Sequence, residues 1–424
     1  MFPQMEPFDS SIRPTLRGYA HSGGACARRP LRILVLDGGE RAALAVVRSL
    51  VRAGHIVAVA AESRTSLAGS SRGVTERHVT PNPLLDADAF VREVVRIVRA
   101  SAIDLLIPVS DASTEAILER RDALPPGTQL PCASLEVYRA ASDKVLVHRL
   151  ACEVGLGIPD TVVVEQYGSA APADARLYPG VVKPHRSVVG AGQARRKTGV
   201  EQVRDREVCE RVLRALPPEA FPVMVQRRIH GAGEGFFTLR LPDGTAAYFA
   251  HRRLRERPPS GGVSVQRESI ALDPTLKARC DALLDRLHWT GIAMVECKRD
   301  LETGDWRVIE INGRFWGSLQ LAIDAGVDFP AILADAVAGV PQSVPQPWRA
   351  GVRSRWEWGD IDHLLLRMIR SRARLKLSPQ APGRLRVLAD FLTHRFGRDH
   401  LEVFRLGDPA PFLVESARRA GLLT

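Results

Sequence analysis

The chain has very little lysine. Six of its 424 residues are Lys (144, 183, 197, 277, 298 and 376), against 53 Arg. A GC-rich coding sequence produces such a bias, but it also singles out each position that still holds Lys. Cysteine is as scarce, with six residues (26, 132, 152, 209, 280 and 297) and no CxxC or Cys/His spacing. That excludes a metal–thiolate site and a disulfide scaffold, and fits reduced thiols in a cytoplasmic protein. No apolar run approaches 18 residues, so no membrane span is expected. The first thirty residues lack the apolar segment of a secretory signal and read as a flexible extension. What remains is ordinary: 45% hydrophobic and 25% charged residues, the composition of a globular chain long enough for about two to four domains.

The net charge of +11 invites a nucleic-acid reading, but its distribution argues otherwise. Residues 31–348 carry 40 basic and 38 acidic side chains, whereas 349–405 carry 13 against 6. The excess is a C-terminal feature, and nucleic acid is not expected as a partner of the bulk of the chain.

The pattern along the chain alternates strand and helix: 31–37 (LRILVLD), a helix over 40–53, strand 55–61, helix 86–100, strand 104–109 and helix 111–122. This is the signature of a parallel α/β domain. Its first turn, Asp37-Gly38-Gly39, lacks the full G-x-G-x-x-G pattern and reads as a tight turn needing small residues rather than a dinucleotide site. A helix over 142–154, with Ser142 as its cap, is followed by strands at 161–165 and 180–184. A Gly- and Arg-rich loop spans 185–200, and a helix 201–215. A β-rich stretch runs over 222–229, 235–241, 245–251 and 263–271, then a helix over 274–288 and a hairpin of 291–299 with 305–312. Helices at 317–325 and 329–338 end at Pro341, Pro345 and Pro347. Beyond lies a short basic module with helices around 360–376 and 384–396. There is no internal repeat.

The chemistry concentrates at 294–316. Glu310 and Asn312, two apart on a strand, share one face, and Ile309 and Ile311 are expected to fill the core on the other. Glu296 lies on the adjacent strand. Two carboxylates and an amide oxygen make a hard-cation site suited to Mg²⁺ shared with substrate phosphates. Arg314 continues that face, with a planar fork for a phosphate oxygen. Lys183 ends the apolar strand Val181-Val182-Lys183-Pro184, just before the loop that holds Gly190 and Gly192. There a Lys can meet phosphate while backbone N–H groups cover it. Each signal has a bland counterpart, a solvated hairpin face or a solvated strand-end Lys. Their order along one chain favours a site.

Taken together these pieces resemble the ATP-grasp superfamily over roughly 31–345, and more closely its carboxylate–amine ligase branch. The segments 251–264, 310–320 and 352–362 are similar to that branch's pattern. The resemblance implies a mixed α/β and α+β architecture: a Rossmann-like N-terminal domain (31–135), a two-lobed ATP-grasp domain (136–345, lobes about 136–225 and 226–345) and a small helical C-terminal module (346–424). It implies that Lys144 and Lys183 contact ATP phosphates, and that Glu296, Glu310 and Asn312 hold two Mg²⁺ ions, Mn²⁺ being an alternative. It places Arg314 by the transferred phosphoryl group or the acyl phosphate. Gln226 then stands where many members have Glu, and backbone groups near Arg227 and Arg228 would read adenine. Arg252 or Arg253 would bind the substrate carboxylate or acyl phosphate, although a solvated basic strand explains them equally well. The implied reaction activates a small-molecule carboxylate as an acyl phosphate and joins it to an amine. A carboxylase-like use of bicarbonate and a non-catalytic nucleotide-binding role are the rival readings. The C-terminal module reads as a lid or dimer element with a solvated charged face, which leaves a homodimer open; the alternative is a surface for an anionic partner such as nucleic acid or acidic lipid.

Overall fold

The computed structural model of the chain describes residues 29–190, 195–342, 347–378, 380–393 and 398–423. The expected extension falls almost wholly outside them, as does Gly192.

The first unit is an all-parallel sheet. Strands β1 (Arg32–Val35), β2 (Ile56–Ala61), β3 (Val74–Val79) and β4 (Leu105–Ile107) lie in the order β3-β2-β1-β4; α1 (Arg41–Arg52) joins β1 to β2, α2 (Ala87–Ala100) joins β3 to β4, and α3 (Asp111–Glu119) follows β4. Strand β3 was not expected. Its pattern VTERHV alternates polar outward positions and has little apolar content, as befits an edge strand. Helix α1 buries Ala43, Leu44, Val46, Val47 and Leu50, the face its spacing predicts. In the Asp37-Gly-Gly turn Gly38 has to be small, since a Cβ there would come within 2.5 Å of Val59 Cγ1 and 2.9 Å of Ser66 Oγ, whereas a Cβ on Gly39 would meet nothing within 4 Å.

Helices α4 (Leu135–Ser142) and α5 (Lys144–Glu153) lead out of this unit. Ser142 is not the expected cap. It ends α4, its hydroxyl donating to Tyr138 O, and Asp143 caps α5 by accepting from Val145 N and Leu146 N. A carboxylate at the helix N-terminus satisfies two otherwise orphan donors.

A small antiparallel sheet follows: β5 (Thr161–Val164), β6 (Gly180–Pro184), the two-residue pair β7 (Val188–Val189) and β8 (Arg196–Lys197) that forms its own hairpin, then β9 (Glu201–Val203), α6 (Arg206–Ala215) and β10 (Val223–Arg227). Its order is β5-β10-β6-β9. One face packs Val182, Val223 and Val225 into a core of its own. The other carries Met224, Gln226 and Lys183, which share parity across β10 and β6.

The large sheet runs β15-β14-β11-β12-β13-β16-β17. It comprises β11 (Gly233–Leu241), β12 (Gly244–Arg257), β13 (Val263–Ser269), β14 (Gly291–Arg299), β15 (Trp306–Asn312), β16 (Arg353–Arg355) and β17 (Asp399–Leu401). Helices α7 (Pro274–Arg286), α8 (Leu319–Ala325), α9 (Phe329–Val337), α10 (Glu357–Ile369), α11 (Arg384–Leu392) and α12 (Ala410–Arg419) complete the chain. Two hydrophobic clusters run without a break from the parallel unit into this sheet, joining Val47 and Leu50 to Phe237 and Trp316 in one and Leu34 and Ala60 to Phe236 and Val295 in the other. The C-terminal segment is therefore not helical alone, since β16 and β17 extend the large sheet. These strands have three residues each and read RSR and DHL, too short and too polar for an apolar period to show. Among the described residues no helix is long and apolar enough to cross a membrane.

Candidate functional site

The hairpin β14–β15 sets out the site. Its register pairs Met294 with Asn312 and Glu296 with Glu310, so both carboxylates and the amide lie on one face, as their parity predicts. A bulge between Glu296 and Cys297 then shifts the pairing. The consequence corrects one expectation: Ile309 is only partly buried, and Val308 and Ile311 fill the core instead. Ile309 contributes its carbonyl, which accepts from His148 Nε2 at 3.2 Å.

Glu310 is the centre of the charge arrangement. Lys144 Nζ, at the start of α5, stands 3.5 Å from Glu310 Oε2 and donates to Ser187 Oγ at 3.0 Å. Burial pushes the Glu310 carboxyl up, but Lys144 and Lys183 outweigh it and hold the group below its usual range. Lys183, buried on the small sheet, is pulled down to about 8 chiefly by burial; Glu310 opposes and Lys144 adds to the shift. Asn312 Nδ2 donates to Glu310 Oε1 at 3.2 Å, and its Oδ1 accepts from Arg314 at 3.0 Å. Arg314 also grips Asp111, at the head of α3, through two bonds of 3.1 and 3.0 Å. Tyr138 Oη donates to the same carboxylate at 3.1 Å. Asp111, which sequence reasoning missed, ties the parallel unit to this face.

The pair Arg252/Arg253 separates cleanly. Arg252 is exposed and bonds Glu268 at 2.7 Å. Arg253 points to the other side, donating to Glu296 at 2.5 Å and Glu256 at 3.1 Å, and these carboxylates hold its charge firmly despite burial. Of the two, Arg253 is the one that meets Glu296 on the face of the carboxylate pair.

Gln226 is fully buried. Its amide donates to Thr161 Oγ1 at 2.9 Å and to His148 Nδ1 at 3.2 Å, and its Oε1 has no partner among the described residues. Burial, with Lys183 adding to it, lowers His148 to about 4, so the ring is neutral. The backbone N–H groups of Arg227 and Arg228 donate to Asp160 O and Pro179 O. These two N–H groups are taken up by the fold. The Arg227 side chain ties Asp160, Asp300 and Glu302 together.

Arg253, Glu296, Glu310, Asn312 and Arg314 line one side of a cavity of about 1040 Å³. The other side comes from the parallel unit. The loops after β1 (Glu40), β2 (Glu62, Ser66), β3 (Asn82) and β4 (Ser110) all reach it. Ligands of open α/β sheets gather at these carboxyl ends of the strands. That rule was the signal available for finding these loops. Asp37 braces the arrangement, its carboxylate accepting from Val109 N, Ser110 N and the hydroxyls of Ser110 and Ser113.

Residues 240–359 match the family model described as ATP-grasp in the biosynthetic pathway with Ter operon. Among solved structures, an L-amino acid ligase from Bacillus licheniformis superposes with a TM-score of 0.57 at 17% identity, over 74% of this chain and 75% of that one. An N5-carboxyaminoimidazole synthetase from Staphylococcus aureus gives 0.56 at 14%, over 77% and 82%. A biotin carboxylase from Campylobacter jejuni gives 0.56 at 13%, over 77% and 75%. A comparison with curated proteins returns no match. The chain has the ATP-grasp fold, and the resemblance noted in its motifs holds.

Proposed function

We propose that the chain is a cytoplasmic ATP-dependent ligase that activates a carboxylate as an acyl phosphate and joins it to an amine. The observation that carries this reading is the meeting of two lobes: Lys144 and Lys183 face a carboxylate pair, Glu296 and Glu310, with Asn312 on the same strand face and Arg314 just beyond the strand's end. Among the described residues no three His, Cys, Asp or Glu side chains group as a metal site. The donor set of two carboxylates and an amide oxygen is nonetheless the hard-oxygen chemistry that Mg²⁺ takes when substrate phosphates complete its shell. Glu310 is held ionised, as a ligand must be. Glu296, Glu310 and Asn312 would hold the metal, which would draw charge from the β- and γ-phosphates.

The chain's own residues account for the rest. Lys144 and Lys183 neutralise phosphate oxygens, and the loop bearing Gly190 covers them. The unpartnered Gln226 Oε1 accepts from the base. A substrate carboxylate, steered by Arg253 and Arg314, attacks the γ-phosphorus, and ADP leaves. An amine nitrogen then attacks the acyl carbon, the C–N bond forms, phosphate departs and the amine's proton passes to solvent. Such a transfer needs positioning and charge more than a protein nucleophile. Solved structures of like fold described with ADP or ATP support nucleotide binding, and the amino acid ligase among them fits a carboxylate–amine pair.

In this reading 31–135 is a Rossmann-like domain that supplies the substrate half of the cavity, 136–345 is the ATP-grasp domain with lobes meeting near 225, and 346–424 is a C-terminal module. The test is ADP release with Mg²⁺ across carboxylate–amine pairs, beginning with amino acids. Release that requires both partners is expected. ATP binding with no release for any pair would sink the reading.

A further inference from the structure

Helices α10 and α11 carry apolar side chains that the fold leaves outside. On α11, Leu385 is 85% exposed, Leu388 38% and Leu392 71%. Spacings of three and four place them on one face. On α10, Leu365 and Ile369, one turn apart, are 47% and 71% exposed. The two helices meet end to end: Arg384 donates to Arg370 O and Arg367 donates to Pro382 O, which seats the start of α11 against the end of α10. Helix α11 touches the body through little more than Val387 and Phe391. Phe391 lies beneath the guanidinium groups of Arg255 and Arg355.

The surroundings are strongly basic. Residues 365–392 hold seven Arg or Lys and one acid, Asp390. Arg370, Arg374, Arg384 and Arg386 are exposed, and the ion pairs among the described residues do not include them. A second copy of the chain would bring the same charge to the contact, which repels. Nucleic acid answers the charge, but single strands are held by stacking bases on aromatic rings, which exposed aliphatic leucines do not offer. The three tryptophans near this region are engaged elsewhere, Trp348 with Ile270 O, Trp356 with Glu415 and Trp358 with Ser416. Exposed leucines on a helix pair, among long basic side chains, match an interface that is apolar below and anionic above.

We propose that the α10–α11 face docks on an anionic lipid surface, leucines inserted to the acyl boundary and arginines on the headgroup phosphates. The proposal is independent of the ligase reading. The full chain is mixed with vesicles of phosphatidylcholine alone or with about 30% phosphatidylglycerol, and the bound fraction is read by flotation. Binding is expected only to the anionic vesicles, weakening about tenfold or more between roughly 0.05 and 0.5 M salt. The charge-neutral variant Leu385→Ser/Leu392→Ser changes only exposed positions. It should bind about tenfold more weakly while its circular dichroism and ATP turnover stay unchanged. Wild-type affinity in that variant would overturn the proposal, because charge alone would then explain adsorption. So would failure to bind anionic vesicles at low salt, concentration-dependent dimers dispersed by Leu385→Ser, or tight RNA binding that outcompetes the vesicles.

Discussion

Glu310→Ala should abolish Mg²⁺-dependent ATP turnover without unfolding the chain, because Glu310 is a cavity wall and not part of the apolar core; normal turnover would remove the carboxylate pair from the site. Lys183→Ala should weaken nucleotide binding by about 1.5–3 kcal/mol, the worth of a hydrogen bond to a charged group, read by calorimetry. His148 supplies a pH prediction. Its folded value of about 4 lies below the ordinary 6.5, and His363, lowered mainly by burial, behaves alike. The unfolded chain therefore binds protons that the folded one refuses. The stability this confers is fully present above about pH 6.5 and is lost as pH falls toward 4, by up to roughly 3 kcal/mol for each ring. Denaturant midpoints should drop across that window, and His148→Asn should flatten the slope; an unchanged slope would mean the ring does not titrate there. At this scale the sequence was informative wherever one strand carried the argument. Glu310, Asn312 and Arg314 share a parity that can be counted. Asp111, Ser187 and His148 come from three other segments, and nothing local announces that they converge.

Elements were legible where an apolar period was long, as in α1, α2 and the β14–β15 hairpin. They were hidden where tertiary pairing substitutes for period, as in β3, β16 and β17. The bulge that turns Ile309 out of the core breaks the alternation without any glycine or proline to mark it. Strand β6 has its own hidden constraint. Gly180 lies where a Cβ would sit 2.3 Å from Leu177 O and 2.6 Å from Gln226 O, both backbone atoms that cannot step aside. Gly180→Ala should therefore displace the strand that carries Lys183, costing about 2–4 kcal/mol of stability and lowering nucleotide affinity together with it. At Gly199 a Cβ would meet nothing within 4 Å, so Gly199→Ala is the control. Equal melting temperatures for the two variants would show that β6 accommodates the methyl group.

For the molecule as a whole, charged side chains tie the C-terminal segment back onto the rest of the chain. Glu402, 3% exposed and just after β17, accepts two bonds from Arg41 of α1 at 2.9 and 2.8 Å and one from Arg267 of β13. Nearby, Arg48 of α1 bonds Asp408 at 2.8 Å and the carbonyls of Val403 and Asp408, and Arg405 reaches Asp324 at 2.6 Å. These contacts bolt the parallel unit to the large sheet, and they fix one wall of the cavity against the other. Removing one partner of a buried pair strands the charge that remains, which costs about 3–5 kcal/mol, far more than the exposed equivalent. Glu402→Gln removes the one carboxylate that Arg41 and Arg267 both bond and should lower stability by that amount in denaturant melts. Asp104→Asn, which breaks the exposed pair with Arg29 and leaves Asp104's bond to Arg32 N at 2.8 Å to an amide oxygen, should cost well under half as much. Because Glu402 touches neither Lys183 nor Glu310, the bolt also predicts the direction of the functional effect: Glu402→Gln should raise KM for the carboxylate and amine, whose half of the cavity the parallel unit supplies, while nucleotide affinity stays near that of the parent. If nucleotide affinity fell in step with stability, Glu402 would be holding the fold together as a whole and not the one wall against the other.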